Sequence, residues 1–205
     1  MTRDSMTLTE LLNLMAWDLR INRGCSWDSI RAKLLLIEFR LEQYVYRKVG
    51  QIGYPLRAVW YASRFFGSIY QWFLCHSNIP GTATIGRGLR LPHPQSIIVS
   101  GYVDMGDFCT IYQNVSIVWN GFKPTVPLSP TIGSQVLLGA GVIVLGDIRI
   151  GSYVLIGAGA VVTRSVPDES RVVSQSPQVS PRHPTAEAAK PGSLRHQRDP
   201  YSIWR

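Results

Sequence analysis

Histidine is the side chain best suited to accept a proton near neutral pH, because its unperturbed pKa lies close to neutrality. The sequence contains four, His76, His93, His183 and His196. His183 and His196 fall in a polar C-terminal stretch, and His76 precedes the repeat described below. Only His93 lies inside that repeat, two residues after Leu91, where a side chain is expected to point outward. His93 is therefore the candidate general base, although an isolated surface histidine usually has no role.

Three cysteines, Cys25, Cys75 and Cys109, are the other reactive side chains. They are odd in number, far apart in the sequence and form no CxxC pair. This arrangement argues against a disulfide framework and against a structural zinc site. We expect reduced thiols and no metal.

An aliphatic residue or cysteine recurs at every sixth position through the middle of the chain. The first run is Ile79, Ile85, Leu91, Ile97, Val103, Cys109 and Val115, and the second is Ile132, Leu138, Val144, Ile150, Ile156 and Val162. A period of six is neither helical nor that of a hairpin, so a β-sandwich of short strands is the weaker alternative. Three hexapeptides form each turn of a triangular solenoid, and stacked turns bury a continuous core. The predicted fold class is mainly β, a hexapeptide-repeat solenoid.

Residues 1–77 are predicted to form an α-helical N-terminal region that precedes the solenoid. Thr7 to Glu10 is a capping box, Ser26 can cap a second helix, and Pro55 suits the first turn of a third helix that ends near Cys75. The second helix carries Ile30, Leu34, Ile37, Leu41 and Tyr44. The solenoid is predicted over residues 78–173. Residues 174–205 are rich in polar residues and are predicted to be mostly disordered.

The composition limits the kinds of partner that the protein is expected to bind. The 205 residues carry a formal net charge of +8, but the basic residues are dispersed, so nucleic acid is not expected. The N-terminus lacks a signal-peptide pattern, which favours the cytoplasm. The aromatic third helix is interrupted by Arg57 and Arg64, so it is not expected to span a membrane. It packs on the solenoid or on a neighbour, or it lies on a membrane surface, which would place the protein at the inner face of the membrane.

The repeat resembles the left-handed parallel β-helix of the hexapeptide acyltransferases. Within that group, residues 78–174 resemble serine acetyltransferases and exopolysaccharide O-acetyltransferases, through the runs Ile85-Gly86-Arg87-Gly88-Leu89, His93, Thr110 to Ser116, Leu138 to Gly146 and Ile156 to Val162. The resemblance implies direct transfer of an acetyl group from acetyl-CoA to a hydroxyl. It also implies a homotrimer with each site between neighbours, and it places His93 where the family has its catalytic base.

The same resemblance identifies residues around the base and the donor. The family uses a carboxylate fifteen residues before the histidine, where this sequence has Asn78, so either Asn78 orients the ring or another carboxylate substitutes. Ala140 and Ala158 match positions that contact coenzyme A, although small residues also suit tight corners. Lys123 and Arg164 are candidates for its phosphates.

The acceptor is expected near the break in the repeat, residues 117–131. Gln113 and Asn114 could donate to the oxyanion that forms on the thioester carbonyl, beside backbone N–H groups of the corners, or could simply cap a turn. Serine acetyltransferases hold the amino-acid carboxylate with a loop arginine, but the aligned positions here are Val118-Trp119 and Leu128-Ser129. Trp119 instead offers an apolar face that suits a saccharide or lipid-linked sugar, and Ser129 is a further candidate for binding the acceptor. The alternatives are a serine acetyltransferase and a scaffold that has lost catalysis.

Overall fold

The computed structural model describes residues 6–49, 54–119 and 129–174. Three helices come first, α1 (Leu8–Ile21), α2 (Trp27–Val49) and α3 (Tyr54–Cys75). Short strands follow: β1 (Thr84–Ile85), β2 (Ile98–Val99), β3 (Asp104–Met105), β4 (Thr110–Ile111), β5 (Ser116–Val118), β6 (Thr131–Ile132), β7 (Leu137–Leu138), β8 (Ile143–Leu145), β9 (Arg149–Ile150), β10 (Leu155–Ile156), β11 (Val161–Val162) and β12 (Arg171–Val172). The predicted tail, residues 174–205, lies outside the described residues except for Ser174.

The helices begin where the sequence predicts. The Thr7 side chain accepts from the Glu10 N–H while the Glu10 carboxylate accepts from the Thr7 N–H, which completes the capping box. Ser26 Oγ accepts from the Ser29 N–H at 3.2 Å at the start of α2. Pro55 lies in the first turn of α3, where its missing N–H has no partner to lose.

The side of α2 that is buried differs from the apolar stripe seen in the sequence. The core contains Ala32, Leu35, Leu36 and Phe39, whereas Ile30, Leu34 and Leu41 are exposed. The buried side also carries Arg40, Glu42 and Gln43, three polar residues that a hydrophobic pattern excludes. Their hydrogen bonds to the solenoid explain why this side faces inward.

The strands form three parallel sheets of four strands each. We call these the first sheet (β1-β3-β6-β9), the second sheet (β4-β7-β10-β12) and the third sheet (β2-β5-β8-β11). The chain visits them in that order and then begins the next coil, which is the predicted solenoid. Every residue of the six-residue repeat is buried in its core.

The register shows two departures from an 18-residue coil. Ile98 pairs with Ser116 and Thr131 with Arg149, both 18 residues apart, but Arg90 pairs with Thr110, which is 20 apart. The two extra residues lie between Arg90 and Ile98, in the turn that carries His93. A larger insertion follows β5, because Asp104 pairs with Thr131 at an offset of 27 residues.

Glycine is required where the coils stack most closely. A Cβ on Gly139 would lie 2.7 Å from the backbone nitrogen of Ala158 in the next coil. Gly141 and Gly159 have φ of +70°, a left-handed conformation that costs glycine little. A Cβ on Gly159 would meet no described residue within 4 Å, so in the described part of the chain the space beside this corner is open.

A buried ion pair between α1 and α2 connects these helices to the first coil through hydrogen bonds. Arg40 Nε donates to Asp18 Oδ2 at 2.8 Å, and both side chains are almost fully buried, 0% and 1% exposed. Asp18 Oδ1 also accepts from the Leu89 N–H at 2.9 Å, and Arg40 Nη1 donates to the Ile85 carbonyl at 2.7 Å. The pair therefore satisfies backbone groups on both sides of the junction.

We expect Asp18→Leu to lower the free energy of unfolding by about 3–5 kcal/mol, because it leaves the Arg40 charge buried without its partner. Chemical denaturation at fixed protein concentration measures the loss. Asp104→Leu is the matched control, since Asp104 is exposed on β3 and should change stability by less than about 0.5 kcal/mol. Equal losses in the two variants would contradict this role of the pair.

Candidate active site

His93 lies at the corner where the second sheet gives way to the third, in the first coil. The end of α3 holds this turn, because the Ser96 N–H donates to the Cys75 carbonyl at 2.9 Å. Ser77 Oγ donates to the Pro94 carbonyl at 3.3 Å. The backbone around His93 is therefore fixed while its side chain stays 52% exposed.

A carboxylate orients the His93 ring. Nδ1 of His93 lies 2.7 Å from Oδ2 of Asp28, which stands in the first turn of α2. If Nδ1 carries the proton and donates to Asp28, Nε2 keeps its lone pair free to accept a proton. The pair is thus arranged as a base with its orienting acid.

Arg31 holds Asp28 in turn. Its Nη1 lies 3.6 Å from Asp28 Oδ1, and its Nη2 donates to the Leu74 carbonyl at the end of α3. The Arg31 side chain is only 12% exposed. The orienting carboxylate is therefore braced by both α2 and α3.

Asn78 does not contact the His93 ring within the chain. Its backbone pairs with Ile98 at the edge of the third sheet, and its exposed side chain lines a cavity that also includes Trp119. Within one chain it is Asp28 that contacts the ring, which favours the alternative in which another carboxylate substitutes. The physical reason is that α2 folds back over the first coil. The role of Asn78 stays a prediction.

Several predicted residues stack below His93 along the same corner. The Asn114 N–H donates to the Gln95 carbonyl, the Gly141 N–H to the Gln113 carbonyl and the Gly159 N–H to the Ala140 carbonyl, at 2.8–3.0 Å. Gln95, Gln113, Ala140 and Ala158 therefore form one column, a coil apart from one another. We call it the alanine column. Its open side beside Gly159 suits an extended ligand with little side-chain obstruction.

Polar groups at the top of this column have spare hydrogen-bonding capacity. Gln113 Oε1 is buried and has no partner among the described residues. Asn114 is exposed at the turn, with φ of 60°. The Tyr112 ring lies 6.4 Å from the His93 ring, centroid to centroid. Tyr112 and Asp28 could not be selected as site residues from the sequence, since neither belongs to the inward-facing repeat.

The remaining predicted residues lie at another corner, where the third sheet gives way to the first. Trp119 follows β5 and is 40% exposed; Arg164 follows β11, two coils further on, and is exposed. Ser129 is buried, and its Oγ has no partner in the described part of the chain. Lys123 lies outside the described residues. The chain alone therefore does not bring Trp119 and Arg164 to His93.

The buried thiols are poor nucleophiles. Burial raises the pKa of Cys109 to about 11. Burial also raises the pKa of Cys75, although the nearby Arg31 opposes this shift. Both thiols are therefore protonated at neutral pH, which favours direct transfer over a covalent intermediate on either one. Across residues 6–49, 54–119 and 129–174, no three His, Cys, Asp or Glu side chains group closely enough to hold a metal ion.

Comparison with known proteins shows the family and the fold. Residues 129–164 match the family described as bacterial transferase hexapeptide (six repeats). The acetyltransferase WcaB of Escherichia coli, named for colanic acid biosynthesis, is 36% identical over 169 residues, which cover 80% of this chain and 98% of that protein. The chain belongs to the hexapeptide-repeat acetyltransferase family, and its fold is the predicted left-handed parallel β-helix preceded by helices.

Serine acetyltransferases are also similar, over a smaller share of their length. That of Synechocystis sp. is 38% identical over 153 residues, which cover 74% of this chain and 56% of the relative. This chain thus spans about half the length of that enzyme. The soybean serine acetyltransferase structure superposes with a TM-score of 0.67 at 26% identity, covering 80% of this chain and 66% of that one. The coenzyme A complex of the Brucella abortus enzyme, at 22% identity and a TM-score of 0.68, covers 82% of this chain and 67% of that one, and shows the fold alone.

We expect Ala158→Trp to weaken coenzyme A binding at least about tenfold, because an indole would fill the open side of the alanine column. Isothermal titration with coenzyme A measures the Kd without requiring an acceptor. Thr131→Trp, at an exposed position of the first sheet, is the control and should leave the Kd unchanged. An unchanged Kd in Ala158→Trp would place the donor elsewhere.

Proposed function

We propose that the protein transfers an acetyl group from acetyl-CoA to a hydroxyl, with His93 as the general base. The observation that carries the proposal is the 2.7 Å contact between His93 Nδ1 and Asp28 Oδ2 at the head of the alanine column. His93 Nε2 takes the hydroxyl proton as the acceptor oxygen bonds to the acetyl carbon. The carbon–sulfur bond then breaks, and the imidazolium returns the proton to the departing sulfur. Asp28 stabilises the imidazolium between these two steps.

The negative charge that develops on the thioester oxygen needs a hydrogen-bond donor. The backbone N–H groups of Asn114, Gly141 and Gly159 are unsuitable, because each already donates to the preceding coil. The predicted donors that do not make these contacts are the side-chain amides of Gln113 and Asn114 and the backbone N–H groups of Gln113, Ala140 and Ala158. We assign the oxyanion to this group of donors.

A homotrimer would complete the site. The outer side of the third sheet presents Ile98, Ile143 and Val161, all exposed, whereas that of the first sheet presents Thr84, Asp104, Thr131 and Arg149. When the third sheets of three chains face a common axis, the corner with His93 in one chain lies beside the corner with Trp119 and Arg164 of its neighbour. Both groups of predicted residues would then border one groove.

We expect light scattering to give about 69 kDa at micromolar concentration, three times the 22.9 kDa of one chain. Val161→Glu should reduce this mass, because a charge would be buried on the axis in every chain. A monomeric wild-type protein would contradict the shared groove.

The acceptor that we propose is a saccharide. Trp119 borders a cavity of about 370 Å³ with Asn78, Thr82 and Ser100, which combines an aromatic surface with polar groups. The sequence of residues 117–131 holds one cation, Lys123, and no arginine to pair with an amino-acid carboxylate. The colanic acid relative also matches over nearly its whole length.

Serine is the second candidate, and the names of the relatives favour it, since serine acetyltransferases predominate among both the sequences and the structures. One structural observation supports it as well. Asp28 is 30% exposed beside the base, so its carboxylate could pair with the ammonium group of an amino acid.

Release of free thiol from acetyl-CoA separates these acceptors. We expect release with nucleotide-linked sugars or oligosaccharides and only background release with L-serine. A higher kcat/KM with L-serine than with any saccharide would replace the proposal by the second candidate. Coenzyme A binding without thiol release in the presence of either acceptor would instead support the decayed scaffold.

A further inference from the structure

Helix α3 turns its most aromatic side toward solvent. Tyr61, Phe65, Ile69 and Trp72 follow one another at spacings of four, four and three residues, so they share one face of the helix. Phe66 and Phe73 adjoin them. These six side chains, which we call the aromatic face, are between 39% and 76% exposed. The sequence alternative in which α3 packs its aromatic residues on the solenoid therefore fails for these six.

The opposite side of α3 fixes this orientation. A Cβ on Gly67 would overlap the Glu38 carboxylate of α2, so the two helices are in close contact there. The Gln71 side chain accepts from the Ile79 N–H at 2.9 Å, and the Cys75 carbonyl accepts from Ser96. Rotation of α3 to bury the aromatic face would break these contacts.

The apolar surface extends beyond α3. Phe66 lines a groove of about 370 Å³ together with Leu34, Ile37, Leu41 and Val45 of α2. Leu34 and Leu41 are themselves 43% and 47% exposed. A continuous apolar surface of this kind marks an interaction site rather than scattered exposure.

Charge indicates what covers this surface. Helix α3 contains Arg57 and Arg64 and no acidic residue. Residues 1–77 hold ten basic and six acidic residues, and several of the acids are engaged internally. Asp18 and Glu42 are buried, and Asp28 is shared by Arg31 and His93. If a second copy of α3 packed on the first, the positive charges of the two helices would repel each other. An anionic surface would instead attract them.

We propose that the aromatic face of α3 binds the surface of an anionic lipid bilayer. Tryptophan and tyrosine favour the boundary between headgroups and acyl chains, where phenylalanine rings reach the apolar layer. In the described ranges no helix has the length and apolar character to cross a membrane, so the proposed contact is interfacial. The Trp72 ring lies 5.7 Å from that of His76, next to the junction that holds the His93 turn. If acetyl transfer is correct, the site thus lies near acceptors carried by the bilayer.

Sedimentation of the full chain with large unilamellar vesicles tests this proposal. We expect binding to vesicles of phosphatidylcholine with 30 mol% phosphatidylglycerol, weaker binding to phosphatidylcholine alone, and a decrease at 0.5 M salt. Phe65→Ser/Phe73→Ser should reduce the partition coefficient roughly 10- to 100-fold, because two exposed rings no longer enter the apolar layer. Tyr102→Ser/Tyr153→Ser removes two exposed rings from the solenoid instead and should bind like the wild type.

Three results would overturn the proposal. The first is no sedimentation of the wild type with excess vesicles of either composition. The second is equal binding by Phe65→Ser/Phe73→Ser and the wild type. The third is a lipid-free wild-type assembly that is larger than that of the double variant in light scattering, since a second copy would then cover the face. Acetylation of a soluble acceptor should persist in the double variant, so failure here is distinguishable from failure of the proposed function.

Discussion

His93→Ala lowers kcat for acetyl transfer by roughly 10²–10⁴-fold, if the imidazole is the general base. The hydroxyl proton then has no acceptor within the site except water. The Kd for coenzyme A should change little, because Ala140 and Ala158 of the alanine column lie in later coils than His93 and keep their positions. Thiol release measures kcat, and titration calorimetry measures the Kd.

His76→Asn is the matched control for this variant. His76 is exposed at the end of α3 with φ of 49°, a backbone conformation that asparagine tolerates well. Removing this imidazole should leave kcat within about threefold of the wild type. Full activity in His93→Ala, or an equal loss in His76→Asn, would remove the assignment of His93 as the base.

The repeat could be predicted from sequence because a core position in a solenoid tolerates only a side chain that fills the same small space in each coil. All thirteen predicted positions are buried. The phase of the repeat could not be predicted. Two extra residues near His93 shift the repeat relative to the strands. As a result Val99 and Met105 occupy the paired strand positions, and Ile97 and Val103 do not. Both sets are aliphatic, so the six-residue spacing continues unbroken in the sequence.

The buried side of α2 shows a second limit of sequence patterns. Hydrophobic spacing favours a stripe that includes Leu34 and Leu41, yet α2 buries Arg40 because it donates to Asp18 and to two carbonyl groups of the first coil. A polar side chain in a fully satisfied network can outweigh the burial of a leucine. Gln43, three residues further along α2, also accepts from Arg40. The other partners of Arg40 come from residues 18 and 85–86, and no local pattern contains them.

The histidine that we propose as the base could be selected from the sequence, but the carboxylate that contacts it could not. His93 stands out as the single histidine of the repeat, whereas Asp28 is 65 residues earlier on a separate helix. One signal was available, because Asp28 follows the Ser26 cap and carries a charge in the first turn of α2. An acidic residue in the first turn usually interacts only with the helix dipole, so its position does not indicate a contact with the solenoid.

Asp28→Asn should lower kcat by roughly 10²-fold, because an amide cannot stabilise the imidazolium. The amide can also donate an N–H to Nδ1, and this contact favours the tautomer of His93 in which Nε2 cannot accept a proton. Asn78→Ala is the comparison, and we expect a smaller loss of kcat than in Asp28→Asn, because Asn78 makes no contact with the ring of its own chain and lines the acceptor cavity instead. The same assay also discriminates between acceptors. With a saccharide the loss should fall on kcat, whereas an amino-acid acceptor would also lose an ionic contact, so its KM should rise. If Asn78→Ala proves more damaging than Asp28→Asn, the residue at position 78 orients the base in the assembled enzyme, and the contact with Asp28 has only a structural role.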